Sequence, residues 1–152
     1  MIGMASNSVQ TFTILFVDVA GSVALYESLG DLAAKERIIQ LQERIGTIAA
    51  ECGGTVHEVI GDELMLRFDA ACDGARGALA IQHVVAAFAS QTGTRLEVRI
   101  GLHCGETITE GDRLFGDTIN VASRVAAIAQ GGQIITTQAV VDQLPESLRE
   151  LV

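Results

Sequence analysis

The sequence predicts an α+β fold: a split βαβ core of the ferredoxin-like kind, an antiparallel sheet with helices packed on one face. Three observations lead there. Apolar residues recur at spacings of two in some stretches and of three and four in others. The resulting elements follow one another as strand, helices, strand, strand, helix, strand, with no internal repeat and no low-complexity linker between them. With 152 residues, 49% hydrophobic and 19% charged, the chain is long and apolar enough for one buried core, and disorder is excluded.

The first strand is Thr11–Val17, which alternates and then turns fully apolar, as a strand buried on both faces would. It stops at Asp18. The segment before it, MIGMASNS, is small and polar, so residues 1–9 are expected to form a flexible tail and residues 10–152 a single domain. Gly21-Ser22 opens a short helix that reaches Leu29, and Gly30 ends it. Asp31 is expected to cap a longer helix on which Ile38, Leu41, Ile45, Ile48 and Cys52 share one face. Gly53-Gly54 stops that helix in the position after its C-cap. Thr55–Ile60 and Leu64–Phe68 read as two strands joined tightly through Gly61-Asp62-Glu63. Ala70–Ser90 is a second long helix, with Ala78, Ile81, Val85 and Phe88 along one stripe. Arg95–Cys104 alternates as a strand and closes on Gly105; residues 111–116 form a turn. Ile119–Ala129 is helical, Gly131-Gly132 breaks it, and Gln133–Thr137 is the last strand.

Charge and cysteine usage narrow the function. Ten Lys+Arg against 19 Asp+Glu give a net charge of −9, a surface that repels a nucleic-acid backbone. Aromatics are 4% with no Trp, which leaves no platform for stacking single-stranded bases. A small nucleotide that brings its own metal ions is still compatible with this surface. Cys52, Cys72 and Cys104 are odd in number and lack CxxC spacing, as expected for reduced thiols in the cytoplasm. No apolar run approaches the roughly 18 residues of a membrane span, and no secretory apolar segment follows Met1.

Several residues stand where chemistry is possible. Asp18 ends an apolar strand and Asp62 occupies a hairpin tip; side by side they suit hard cations such as Mg2+ or Mn2+, and apart they are a helix cap and a turn residue. Free backbone N–H groups after Gly21-Ser22 suit a polyphosphate. There is no GxxxxGK and no GxGxxG, so neither a P-loop nor a dinucleotide fold is supported. Asn120 and Arg124 share one helix face, and an arginine there either neutralises a transferring phosphoryl group or makes a surface ion pair. Arg99 lies in an alternating strand and points away from Val98 and Ile100, toward solvent or toward a phosphate. His57, His83 and His103 lack metal-ligand spacing and read as structural. No Ser or Cys has the G-x-S-x-G context of a nucleophile.

Four blocks make the combination specific. Phe16-Val17-Asp18-Val19-Ala20-Gly21-Ser22, Val59-Ile60-Gly61-Asp62-Glu63, Val98 through Glu106 and Phe115 through Arg124 resemble, in order, the class III adenylate/guanylate cyclase catalytic domain. The resemblance runs from about Thr11 to Leu144. It implies conversion of a nucleoside triphosphate to a 3′,5′-cyclic monophosphate and pyrophosphate, in sites formed between two subunits arranged head to tail as a homodimer. It also implies that Asp18 and Asp62, with the backbone of Val19, hold two Mg2+ or Mn2+ ions. The backbone of Ala20, Gly21, Ser22 and Val23 would cradle the phosphates, and Arg99 would contact the triphosphate. From the facing subunit, Asn120 would orient the ribose and Arg124 would stabilise the pentacoordinate phosphorus.

The sequence departs from the family's pattern in two ways. The adenine-reading pair is typically a Lys four residues before the second metal Asp and an Asp or Thr seven before the Asn; here those positions are Glu58 and Arg113. The glutamate resembles the guanylate-cyclase version, so Glu58 and Arg113 are expected to read a purine, with GTP favoured. The family also continues into further strands and a phosphate-binding Lys, so the chain is expected to be a piece of a longer protein, with a regulatory domain fused outside it. The competing expectations are an adenylate or mixed-specificity cyclase, and a silent cyclase-homology domain that only dimerises or binds nucleotide.

Overall fold

The structure, a computed structural model, describes residues 7–150. In chain order it contains β1 (Asn7–Ala20), α1 (Ser22–Leu29), α2 (Asp31–Glu51), β2 (Gly54–Ile60), β3 (Glu63–Phe68), α3 (Ala71–Thr92), β4 (Glu97–Glu110), β5 (Arg113–Phe115), α4 (Asp117–Ile128), β6 (Ile134–Thr136), α5 (Gln138–Val141) and α6 (Glu146–Arg149). The strands form one six-stranded sheet in the order β2-β3-β1-β4-β5, with β6 also on β4.

The expected split βαβ core is present, and β1 at its centre explains its layering. Leu15, Val17 and Val19 point to one face, where they meet Ile38, Leu41 and Ile45 of α2 and Ala78, Ile81 and Val85 of α3. Phe12, Ile14 and Phe16 point to the other face and meet Ala122 and Ala126 of α4. Helices therefore cover both faces of the sheet, where one covered face was expected. The cause is in β1 itself, since a strand apolar on both sides needs cover on both. Nor is the sheet wholly antiparallel: β6 runs parallel to β4, with Ile134 opposite Ile100.

Glycines set how closely α4 sits. A Cβ on Gly101 would run into the backbone of Ala126, and one on Gly105 would meet the Thr118 hydroxyl. Both positions belong to β4, so α4 lies almost directly on that strand. Thr118 adds a hydrogen bond, its Oγ1 donating to the Glu106 carbonyl at 2.7 Å.

Element boundaries shift in several places. β1 begins at Asn7, where Asn7, Ser8 and Val9 pair with Glu110, Thr109 and Ile108, so these three residues of the expected tail are strand. The rest of that tail, residues 1–6, lies outside the described residues. β4 runs on to Glu110, and the expected turn at 111–116 contains β5. Gly30, with φ +81°, is the N-cap of α2; Asp31 is its first helical residue and makes no side-chain cap bond. Beyond β6, where the sequence pattern gave no element, Val140, Leu144 and Leu148 dock on the α3 side of the core. Among the described residues no helix is long and apolar enough to cross a membrane.

Candidate active site

Asp18 and Asp62 come together because β1 and the β2–β3 hairpin end at the same edge of the molecule. The hairpin closes through Gly61-Asp62, and Gly61 takes the positive φ (+57°) that a two-residue loop needs at its first position. Two bonds fix this tip. The Val19 N–H donates to the Asp62 carbonyl at 3.2 Å, and Gln42 Nε2 of α2 donates to the Gly61 carbonyl at 3.0 Å. The residue after Asp18 is thus tied to Asp62 directly. Both side chains are half-buried.

Asp18 is also the middle of a charged row. It faces Glu63 on β3 and Arg99 on β4 across the ladder. The Arg99 guanidinium pairs with the Asp18 carboxylate through Nη2. Arg99 Nε is the one buried side-chain polar atom without a hydrogen-bond partner among the described residues, so this arginine has donor capacity left for an anion. Burial raises the Glu63 carboxyl above its ordinary pKa, and the Asp18 charge raises it further, while Arg99 pulls it back down.

The turn that follows leaves backbone donors free. Gly21 takes φ +88°, and the first bond inside α1 runs from Leu25 N–H to the Gly21 carbonyl at 3.2 Å. The N–H groups of Ser22, Val23 and Ala24 therefore precede the first helical bond, and no side chain caps them. A cavity of about 740 Å³ opens beside Ala20, Gly21 and Ala24, with Arg95 and Glu97 on its wall.

Glu58 and Arg113, 55 positions apart on either side of α3, line a second cavity of about 310 Å³ with His57, Met65, Asp112, Leu114 and Phe115. The two do not form an ion pair. Arg113 lies over the Phe115 ring instead, 5.0 Å from its centroid. Both charges are left facing the cavity.

Asn120 and Arg124 are placed elsewhere. The buried stripe of α4 is Thr118, Ala122 and Ala126, which turns Asn120 and Arg124 outward. Arg124 reaches only Asp117, at 4.0 Å, with the two side chains 73% and 84% exposed. Such a pair contributes little. Within one chain neither residue meets the Asp18–Asp62 edge.

Of the histidines read as structural, His103 has its Nδ1 2.6 Å from Thr137 Oγ1. Burial lowers its pKa, with Asp117 acting in the opposite direction. His57 lines the cavity of Glu58 and Arg113. No spacing in the sequence marks it, because it is the ladder's register that places it there.

The chain belongs to the adenylate and guanylate cyclase catalytic domain family, which it matches over residues 4–151. It is 30% identical over 171 residues to an adenylate cyclase of Anabaena cylindrica, covering 96% of this chain and 34% of that protein. Among solved structures it resembles an adenylate/guanylate cyclase/hydrolase from Silicibacter pomeroyi, at 31% identity and TM-score 0.75, covering 89% of this chain and 79% of that one. The adenylyl cyclase CyaB from P. aeruginosa shares the fold at 21% identity and TM-score 0.80, over 97% and 84% of the two chains. The chain spans 34% to 44% of the length of the first curated relatives it matches.

Proposed function

We propose that the chain converts a purine nucleoside triphosphate, GTP in preference, to its 3′,5′-cyclic monophosphate and pyrophosphate, in a site shared by two copies arranged head to tail. One observation carries this reading: the acidic pair with its anion turn and the outward Asn120–Arg124 pair are each well formed, yet they lie apart in one chain. A second copy supplies what each group lacks. Large apolar side chains are exposed where it would cover them: Val9 (63%), Ile108 (42%) and Phe115 (36%) in one row of the sheet, and Val59 and Ile60 on edge strand β2.

In the reaction the ribose 3′-oxygen attacks the α-phosphorus in line, the bond from the α-phosphorus to the bridging oxygen of the β-phosphate breaks to release pyrophosphate, and the 3′-hydroxyl proton passes to solvent water. Such a step needs positioning and charge neutralisation more than a protein nucleophile. Asn120 orients the ribose, Arg124 stabilises the charge on the five-coordinate phosphorus, and the amides of residues 20–23 with Arg99 hold the triphosphate. Asp18, Asp62 and the Val19 carbonyl would hold two Mg2+ or Mn2+ ions. Their donors are all oxygen, as hard cations prefer. Ions held there would supply Lewis-acid activation of the attacking oxygen and screening of the leaving pyrophosphate.

The preference for GTP follows from the second cavity. Guanine presents N1–H and an N2 amino group as donors and O6 and N7 as acceptors. Glu58 accepts from the first two and Arg113 donates to the others. Adenine in the same register leaves both protein groups mismatched, at about 1–3 kcal/mol each. The name of the Anabaena relative favours the second reading, in which the same cavity takes ATP. The described cysteines are free thiols, which suits a cytoplasmic setting, and the greater length of the relatives suits a regulatory domain fused outside these residues.

Purified protein given Mn2+ with GTP or ATP, and assayed for both cyclic products, tests the reading. Cyclic GMP should exceed cyclic AMP by roughly two orders of magnitude. Equal or better turnover of ATP overturns the base preference, and absence of both products leaves a silent homology domain.

A further inference from the structure

β2 does not hold one register on β3. Val56 lies opposite Leu66, but Glu58 lies opposite Met65 and Val59 opposite Leu64, so His57 is an extra residue without a partner of its own. Leu64 and Leu66 belong to the core beneath α2 and α3, whereas Met65 belongs to the core beneath α4. An unbroken ladder would set His57 opposite Met65 and Glu58 opposite Leu64, and alternation would turn Glu58 to the helical side. The bulge instead brings Glu58 to the Met65 side and keeps His57 next to it. Both then line the cavity that Arg113 closes, with His57 half-buried and Glu58 exposed.

We propose that His57 is a third base-contacting residue of this cavity, a polar group that adapts to either purine. The proposal rests on the cyclase reading above. An ionised Glu58 only accepts hydrogen bonds and Arg113 only donates them. A neutral imidazole has one donor and one acceptor nitrogen and exchanges them by changing tautomer. O6 of guanine and the N6 amino group of adenine occupy the same place on the purine and demand opposite partners. The His57 ring serves the first with its N–H and the second with its bare nitrogen. Glu58 and Arg113 thus discriminate between the bases, and His57 adds affinity for both.

The test uses the full chain and the variants His57→Ala and His57→Gln. Mn2+-dependent KM and kcat for GTP and ATP are measured beside equilibrium binding of 3′-deoxy-GTP and 3′-deoxy-ATP, which lack the attacking hydroxyl. For His57→Ala, KM and the Kd of both analogues should rise about three- to ten-fold with kcat little changed, the effect of one lost neutral hydrogen bond. His57→Gln, whose amide also offers a donor and an acceptor, should recover most of the loss. Unchanged Kd for both analogues, a loss confined to one base, or a failure of Gln to recover binding overturns the proposal. If the unmodified protein makes neither cyclic product, the cyclase reading fails separately, and analogue binding still decides the role of His57.

Discussion

Asp62 shows how a residue is made dispensable to the fold and available for chemistry. The hairpin tip is held through main-chain groups, the Asp62 carbonyl by Val19 and the Gly61 carbonyl by Gln42, so the carboxylate supports no packing. Asp62→Ala should therefore leave the thermal midpoint within a few degrees while Mn2+-dependent turnover falls by about two orders of magnitude or more. A variant that melts normally and keeps most of its turnover shows that the metals are held elsewhere. Glu58 is exposed at the cavity mouth, and Glu58→Lys should erode the preference for GTP by exchanging an acceptor for a donor. The ratio of cyclic GMP to cyclic AMP formed from equal GTP and ATP measures it, and an unchanged ratio removes Glu58 from base reading. Cys104 is 5% exposed, and burial raises its thiol pKa, so the reactive thiolate is scarce. Cys52 and Cys72 are half-exposed and should be alkylated first at pH 8, with Cys104 reacting only as the protein unfolds; mass spectrometry of a labelling time course distinguishes the order.

At the scale of elements, α4 depends on a strand that lies under it. The helix has Ala122 and Ala126 on its inner face and meets β4 at Gly101 and Gly105, so no side chain separates helix from strand. A methyl group at residue 101 runs into the Ala126 backbone and Cβ, neither of which can rotate aside. Gly101→Ala should lower stability in urea by about 1–3 kcal/mol, the cost of overpacking a tight site. It should lower turnover further still, because moving α4 moves Asn120 and Arg124. Unaltered denaturation would mean that α4 is not seated on the strand in solution. Much of this was legible in the chain: β1, α2, β3 and α3 follow from their apolar periods. The cover of the second face was not, because α4 buries small residues, Thr118, Ala122 and Ala126, whose burial depends on glycines in a distant strand.

Across the whole molecule, the Asp18–Asp62 edge and the outward Asn120–Arg124 face of α4 lie apart in one chain. On the proposed shared-site reading a monomer cannot turn over, so specific activity should rise with protein concentration. Mixing Asp18→Ala protein with Arg124→Ala protein should restore activity that neither has alone, since each heterodimer regains one intact site. Constant specific activity at dilutions where light scattering finds only monomer contradicts the shared site.

The candidate residues were legible in the chain: an aspartate at the end of an apolar strand, another at a Gly-Asp turn, and an Asn and Arg one helical turn apart are all local patterns. Local patterns are set by neighbours within a few residues, which a linear reading contains. Tertiary structure alone decided how these parts meet. Only the ladder registers put Glu63, Asp18 and Arg99 in one row and bring Glu58 beside Arg113. The bulge that admits His57 to that cavity is likewise invisible in the chain, because one extra residue in a strand changes its facing only relative to a partner.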